Sequence, residues 1–253
     1  MKTSQAVSAT KRKLVHIIGK RFLRLIANVQ NQCSIVPTSP FLPNETFPWI
    51  SVLEDQFPKI QKEFDEVWKD PSKIPAFHQM SPDQARISKE DYWKTYAFFI
   101  FGNAVLENCS KCIQTAEVLY KIPNLQNAWF SILAPKYHIP PHRGPTKALI
   151  RCHLGLKVPG DVNSCWIRVD NEVRGWSEGQ CILFDDTFEH EVQNDTSEYR
   201  AVLFIDVERP MNRIGQLINT LVLNMMKATR YVKDPLSNIK KWNKNLSQKH
   251  KGL

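Results

Sequence analysis

Two histidines carry the clearest chemical signal in this chain. His142 sits in the Pro-bounded turn IPPHRGP, and His190 closes FDDTFEH after an apolar run. Alone, a histidine in a loop is more often a surface residue than a ligand. Two imidazoles from the lips of two strands, with coordination positions left open, suit a non-haem iron site. A closed structural zinc site would need four ligands. Arg200 opens the apolar run of YRAVLFIDV, and a lone guanidinium entering a barrel is suited to gripping a carboxylate through its fork. In ALIRCHL, Arg151 and His153 share one strand face, while Ala148, Ile150, Cys152 and Leu154 take the other. Facing inward, that cation and imidazole would require an anion. Facing outward, they would form an ordinary solvated sheet surface, and the pattern alone leaves both readings open.

The elements that must position these residues begin near residue 126. NAWFSIL, KALIRCHLGL, SCWIRVD, EVRGW, QCILF and YRAVLFIDV read as short strands, separated by the turn clusters PKYHIPPHRGP, KVPGDVN, SEG and QNDTSE. This spacing predicts an antiparallel sandwich or barrel. Upstream, residues 92–102 read as a strand, and 50–69 and 103–120 as helices. The Pro-rich stretch 70–91 reads as a loop. Four zones follow: a basic amphipathic N-terminal helix within 1–32, a Pro-rich linker at 33–48, a domain spanning 49–210, and a basic helical tail at 211–253.

Composition narrows the function. The chain has 253 residues, 42% of them hydrophobic, enough for one core. The net charge of +9 is uneven. Residues 1–32 hold seven Lys/Arg and no acid, and residues 211–253 hold nine against Asp234 alone. The body between them is therefore acidic, which argues against nucleic-acid binding through the core. No apolar run is long enough to span a membrane, and the N-terminus lacks the apolar core of a signal peptide, so a cytoplasmic protein is expected. The six cysteines read as free thiols, with Cys109 and Cys112 packing on one side of a helix. No GxSxG or P-loop argues for hydrolysis or phosphoryl transfer. The basic ends have two readings. One is a pair of solvated tails. The other is peripheral docking on an anionic inner membrane face, through residues 11–30 and a C-terminal helix with Ile214, Leu217, Ile218, Leu221 and Met225 on one side.

The segments PHRGPTKALIRCHLGL, WSEGQCILFDDTFEHEV and YRAVLFIDVERP resemble the aspartyl/asparaginyl β-hydroxylase family, most densely over residues 129–210. The resemblance implies a mainly β fold, a double-stranded β-helix (jelly roll) with flanking α-helices. It implies an Fe(II)- and 2-oxoglutarate-dependent dioxygenase that uses O2. By the same resemblance His142 and His190 are the iron ligands, Arg200 and Ser131 hold the distal carboxylate of 2-oxoglutarate, and Arg151 and His153 meet its other carboxylate. Trp93 falls where the family has a tryptophan facing the pocket. The wider superfamily places an acid two residues after the first histidine. Here that residue is Gly144, as in this family, and Asp186 is a further group that could approach the metal or its water. The tail FIDVERP and the basic stretch after it are similar to bacterial lipid A hydroxylases. The implied substrate is therefore either an Asp/Asn side chain of a peptide or protein, or a lipid A acyl chain. Two other classes stand beside this: a non-catalytic β-sandwich holding an anion, and a cupin-like metal enzyme that does not use 2-oxoglutarate. The two histidines with the two arginines weigh against the first, and Arg200 with Ser131 against the second.

Overall fold

The computed structural model describes residues 25–251. Residues 25–33 are helical (α1); residues 11–24 of the expected N-terminal helix lie outside the described residues. The helices that follow are α2 (Trp49–Asp55), α3 (Phe57–Trp68), α4 (Phe77–Met80), α5 (Leu106–Cys109), α6 (Ile113–Tyr120), α7 (Arg213–Ala228) and α8 (Arg230–Lys251). The strands are β1 (Phe41–Leu42), β2 (Trp93–Ile100), β3 (Asn103–Ala104), β4 (Leu125–Leu133), β5 (Tyr137–His142), β6 (Leu149–Lys157), β7 (Cys165–Val169), β8 (Glu172–Gly175), β9 (Cys181–Phe184), β10 (His190–Asn194) and β11 (Arg200–Glu208). They form a seven-stranded sheet in the order β1-β9-β6-β11-β4-β2-β3 and a four-stranded sheet in the order β5-β10-β7-β8. Every pairing between these strands is antiparallel, and the two sheets make the jelly roll expected from the sequence.

Alternation along the central strands decides what enters the barrel. On β11, Ala201, Leu203, Ile205 and Val207 join an outer core under the helices, which leaves Arg200, Val202, Phe204 and Asp206 on the barrel side. On β4, Ala128, Phe130 and Ile132 point outward, while Trp129, Ser131 and Leu133 point inward. On β6, Ile150, Cys152 and Leu154 point outward, so Arg151 and His153 share the barrel side with Leu149. The inward reading of that polar face is thus the one realised.

Three segments differ from the sequence expectations. The Pro-rich stretch 33–48 is not a free linker: Phe41 and Leu42 pair with Phe184 and Leu183 and are buried. PKYHIPPHRGP is not all turn, because β5 runs through it despite Pro140 and Pro141. β5 has β10 as its one neighbour, and an edge strand tolerates residues that cannot donate to a ladder. The third is β10 itself, whose polar side chains Glu191 and Gln193 are only half-buried and hid its period.

After β11 the chain packs α7 and α8 against the body. Asn212 caps α7 by accepting a hydrogen bond from the Gly215 amide at 2.9 Å. Gly215 lies against Cys33 at the end of α1, where a Cβ would have no room. Asn219 accepts from Gln30 Nε2 at 2.9 Å, so α1 lies along α7.

Phe130 is fully buried and packs edge-on against Phe98 at 4.8 Å and Phe64 at 5.4 Å. Phe130→Ala is expected to cost about 3–5 kcal/mol through lost burial and the cavity left behind. Chemical denaturation would show this as a lower midpoint at an unchanged slope.

Candidate active site

His142 ends β5 and His190 begins β10, and the two are direct cross-strand partners. Their ring centroids lie 4.1 Å apart. Each ring is fixed by the same local device. Nδ1 of His142 donates to the Pro140 carbonyl at 2.8 Å, and Nδ1 of His190 donates to the Phe188 carbonyl at 3.0 Å. A carbonyl only accepts, so both Nδ1 atoms carry the proton and both Nε2 atoms keep a lone pair. Burial pushes His142 down to about 4, and the positive charges of Arg151 and Arg86 add to the effect. Burial, then the neighbouring His142 and Arg151, holds His190 well below the usual range. Both imidazoles are thus neutral at neutral pH, the form that binds metal. Among the described residues no cluster of three or more His, Cys, Asp or Glu side chains forms a metal cage. A metal held by these two nitrogens would keep most of its coordination positions open to ligands other than protein.

Deeper in the barrel lies Arg200, 1% exposed, with Nε and Nη1 lacking any hydrogen-bond partner. Its guanidinium rests over the Trp176 ring at 4.6 Å, and burial pulls its pKa down to about 10. Ser131 sits diagonally across from it, because Arg200 pairs with Leu133 and Val202 with Ser131. Trp93 Nε1 donates to Ser131 Oγ at 2.9 Å. His153 packs among Phe184, Phe204 and Trp176 with neither ring nitrogen partnered, and burial keeps it neutral.

Arg151 is the most heavily committed of the expected residues. Its Nε donates to Asp206 Oδ1 at 2.8 Å, its Nη2 reaches Asp206 Oδ2 at 3.2 Å and Asp186 Oδ2 at 3.0 Å, and its plane lies over Phe204. Burial opposes its charge, but the two carboxylates more than restore it and raise the pKa. Asp206 also accepts from Asn127 Nδ2 at 3.0 Å. The sequence reading missed Asp206, although its signal was present: it continues the inward row of Arg200, Val202 and Phe204. The paired acids of FDDTF divide their work. Asp185 is fully buried, accepts from Lys147 Nζ at 2.7 Å and from the Thr187 amide at 3.0 Å, and pairs with the buried Arg209. It anchors the turn. Asp186 faces the cleft, where burial raises its carboxyl to about 6 against the pull of Arg151. Its carboxylate fills the space that a Cβ at Gly144 would occupy.

The site opens into a cleft of about 100 Å³. His142, Gly144, Arg151 and Asp186 line one part of it. Apolar side chains of α4 (Phe77, Met80), of the body (Ile100, Phe101, Trp129, Leu149, Phe204) and of the C-terminal helices (Met226, Tyr231, Pro235) wall much of the rest, together with Ser81, Gln84, Asn127, Thr146 and Asp206. Arg86 and Arg143 stand exposed at its rim.

The family model described as aspartyl/asparaginyl beta-hydroxylase matches residues 54–210. The chain is 38% identical over 205 residues to an ornithine lipid ester-linked acyl 2-hydroxylase of Rhizobium tropici, covering 81% of this chain and 73% of that protein. It is 34% identical over 188 residues to the aspartate beta-hydroxylase domain-containing protein 2 of Rattus norvegicus, covering 69% of this chain and 52% of that protein. To the aspartyl/asparaginyl beta-hydroxylase of Homo sapiens it is 30% identical over 178 residues, covering 64% of this chain and 23% of that protein.

Two measurements test this geometry. Gly144→Ala is expected to drive Asp186 off Arg151, and adding Asp186→Gly should restore part of the loss. A double-mutant cycle on unfolding free energy should give a coupling of about 0.5–3 kcal/mol, whereas additive losses would show that the two positions do not share the space. The second concerns pH. His142, His153 and His190 are depressed in the fold, so as pH falls through the ordinary histidine pKa of about 6.5 the unfolded chain takes protons that the native state refuses. Two carboxyls raised by burial, Asp186 and Glu208, oppose this against three depressed histidines. Metal-free protein should therefore lose stability between about pH 6.5 and 4, and His142→Phe should flatten that slope in urea titrations.

Proposed function

The chain belongs to the aspartyl/asparaginyl β-hydroxylase family, and from that premise we propose an Fe(II)- and 2-oxoglutarate-dependent dioxygenase that hydroxylates a lipid acyl chain. The observation that carries the cosubstrate is Arg200. A buried guanidinium with two unpartnered nitrogens and no carboxylate beside it is costly unless an anion arrives. Iron held by His142 and His190 would fit their two free Nε2 atoms, and when bound it supplies the O2 chemistry that converts 2-oxoglutarate to succinate and CO2 while oxygenating an unactivated C–H bond.

The protein's own groups position and shield. Arg200 grips the distal carboxylate in a two-pronged contact. Because Ser131 already accepts from Trp93, its own hydroxyl proton remains for the same carboxylate. His153 and Arg151 face the metal-proximal end, where Arg151 keeps Nη1 outside its pairs with Asp186 and Asp206. Those two acids hold the Arg151 side chain in place. Trp93, Trp129 and Phe204 exclude water from the reacting centre.

The lipid reading rests on the cleft wall. Beyond His142 it has an apolar stretch, Ile100, Phe101, Leu149, Met226 and Tyr231, suited to an alkyl chain, beside polar groups, Ser81, Gln84, Asn127 and Thr146, suited to the headgroup that such a chain carries. The 38% identity to an acyl 2-hydroxylase supports the same choice.

Purified protein with iron is expected to turn over 2-oxoglutarate to succinate in the presence of a detergent-dispersed acyl lipid, and an Asp- or Asn-containing peptide should not stimulate it. His142→Ala or His190→Ala should abolish iron binding in a metal titration, and His78→Ala should not. Arg200→Ala should weaken 2-oxoglutarate by about 2–5 kcal/mol, seen as a raised KM, with Arg200→Lys recovering only part. An unchanged KM in Arg200→Ala would move the carboxylate anchor elsewhere.

A further inference from the structure

We infer that the outer face of α7 is a membrane-inserting ridge that seats the cleft on an anionic lipid surface. Four large apolar side chains, Ile214, Leu217, Leu221 and Met225, stand 68%, 74%, 62% and 55% exposed. Their spacing of three and four residues places them on one side of the helix. The opposite side, with Gly215, Asn219, Val222 and Leu223, is buried against α1 and the body. The ridge is therefore not a misplaced core face, because α7 already spends another face on packing. A contiguous exposed apolar strip on an otherwise folded helix marks a surface that meets something.

Charge selects the occupant. Residues 211–253 carry nine Lys/Arg and one acid, and Arg213 and Arg230 stand exposed at the two ends of the ridge helix. A second copy docking here would bring two such cationic regions together. An anionic bilayer instead neutralises them, at about 1 kcal/mol for each cation near its surface. The segment that leads into α1, residues 1–24, adds seven Lys/Arg and no acid, and α1 contributes exposed Leu25 and Val29. Among the described residues no helix is long and apolar enough to cross a membrane, so this contact is peripheral. Position gives it a purpose, which rests on the lipid-hydroxylase reading above. Met225 on the ridge adjoins Met226 in the cleft wall, and Tyr231 and Pro235 continue that wall into α8. The helix that would enter the lipid thus also gives Met226 to the cleft wall, which would bring the cleft close to the bilayer surface.

The test uses metal-free full-length protein and vesicles of phosphatidylglycerol with phosphatidylethanolamine, against pure phosphatidylcholine. Co-sedimentation is expected with the anionic vesicles only, falling as salt rises. Leu217→Ser with Leu221→Ser should lower the partition coefficient by roughly tenfold per leucine. Both side chains are exposed and outside the cleft, so circular dichroism and turnover of detergent-dispersed lipid should match wild type. A Leu217→Trp variant should show a blue-shifted emission on anionic vesicles and none on phosphatidylcholine. If wild type stays in the supernatant while detergent-dispersed lipid is still hydroxylated, docking is overturned and the lipid reading survives. If vesicles bind the protein but no acyl lipid supports succinate formation, docking stands and the substrate assignment fails. A wild-type dimer that the double serine variant dissolves, with no vesicle binding, would reassign the ridge to self-association and overturn the proposal.

Discussion

A guanidinium sealed inside a barrel without an opposing carboxylate is the constraint around which this molecule is arranged. Desolvating such a charge costs several kcal/mol even after the protein relaxes. The fold sustains it by brute packing: Arg200 opens a nine-residue strand paired on both sides, by β4 and β6, and its cation lies on an indole face. The other strongly buried cations have acid partners. Arg209 and Lys147 share Asp185, and Arg151 is shared by Asp186 and Asp206. Arg200 stands apart from that rule, the one of these cations with no acid beside it.

The second constraint is register. His142 and His190 face each other because β5 and β10 pair there and the register breaks immediately afterwards, between His190 and Val192. A slip of one residue would turn either imidazole to the other face of the sheet. The backbone carbonyls two residues back then orient both rings alike. Local geometry thus leaves Nε2 of each ring with its lone pair, and the ring orientation needs no carboxylate from a distant part of the chain.

What the sequence disclosed follows the same physics. The alternation in β6 was visible because its two faces differ sharply in polarity, and it put Arg151 and His153 on one face with its direction left open. Ser131 was reached through the family resemblance and Arg200 as a lone guanidinium opening an apolar strand, because β4 and β11 are buried on both faces. The strands that carry the two histidines were not visible. β5 hides behind Pro140 and Pro141, and β10 behind half-buried polar side chains. The histidines were found by type while their elements were read as turns. The pairing of Arg151 with Asp186 and Asp206 joins three strands or loops distant in the chain, and no local pattern announces it. Nor does one announce the cleft wall, since Phe77, Met226 and Tyr231 meet only through tertiary packing.

The origin of that wall carries a consequence for how such a molecule can change. The candidate site residues sit mostly on β4, β5, β6, β10 and β11, whereas part of the cleft wall comes from α4, α7 and α8, segments outside the sheets. Met80, Met226 and Tyr231 lie in no strand, so substitutions there change the cleft without changing a strand pairing. The paired histidines and the far wall of the cleft are therefore inherited on separate parts of the chain, and drift in the helices can reshape the cleft while the barrel stays as it is.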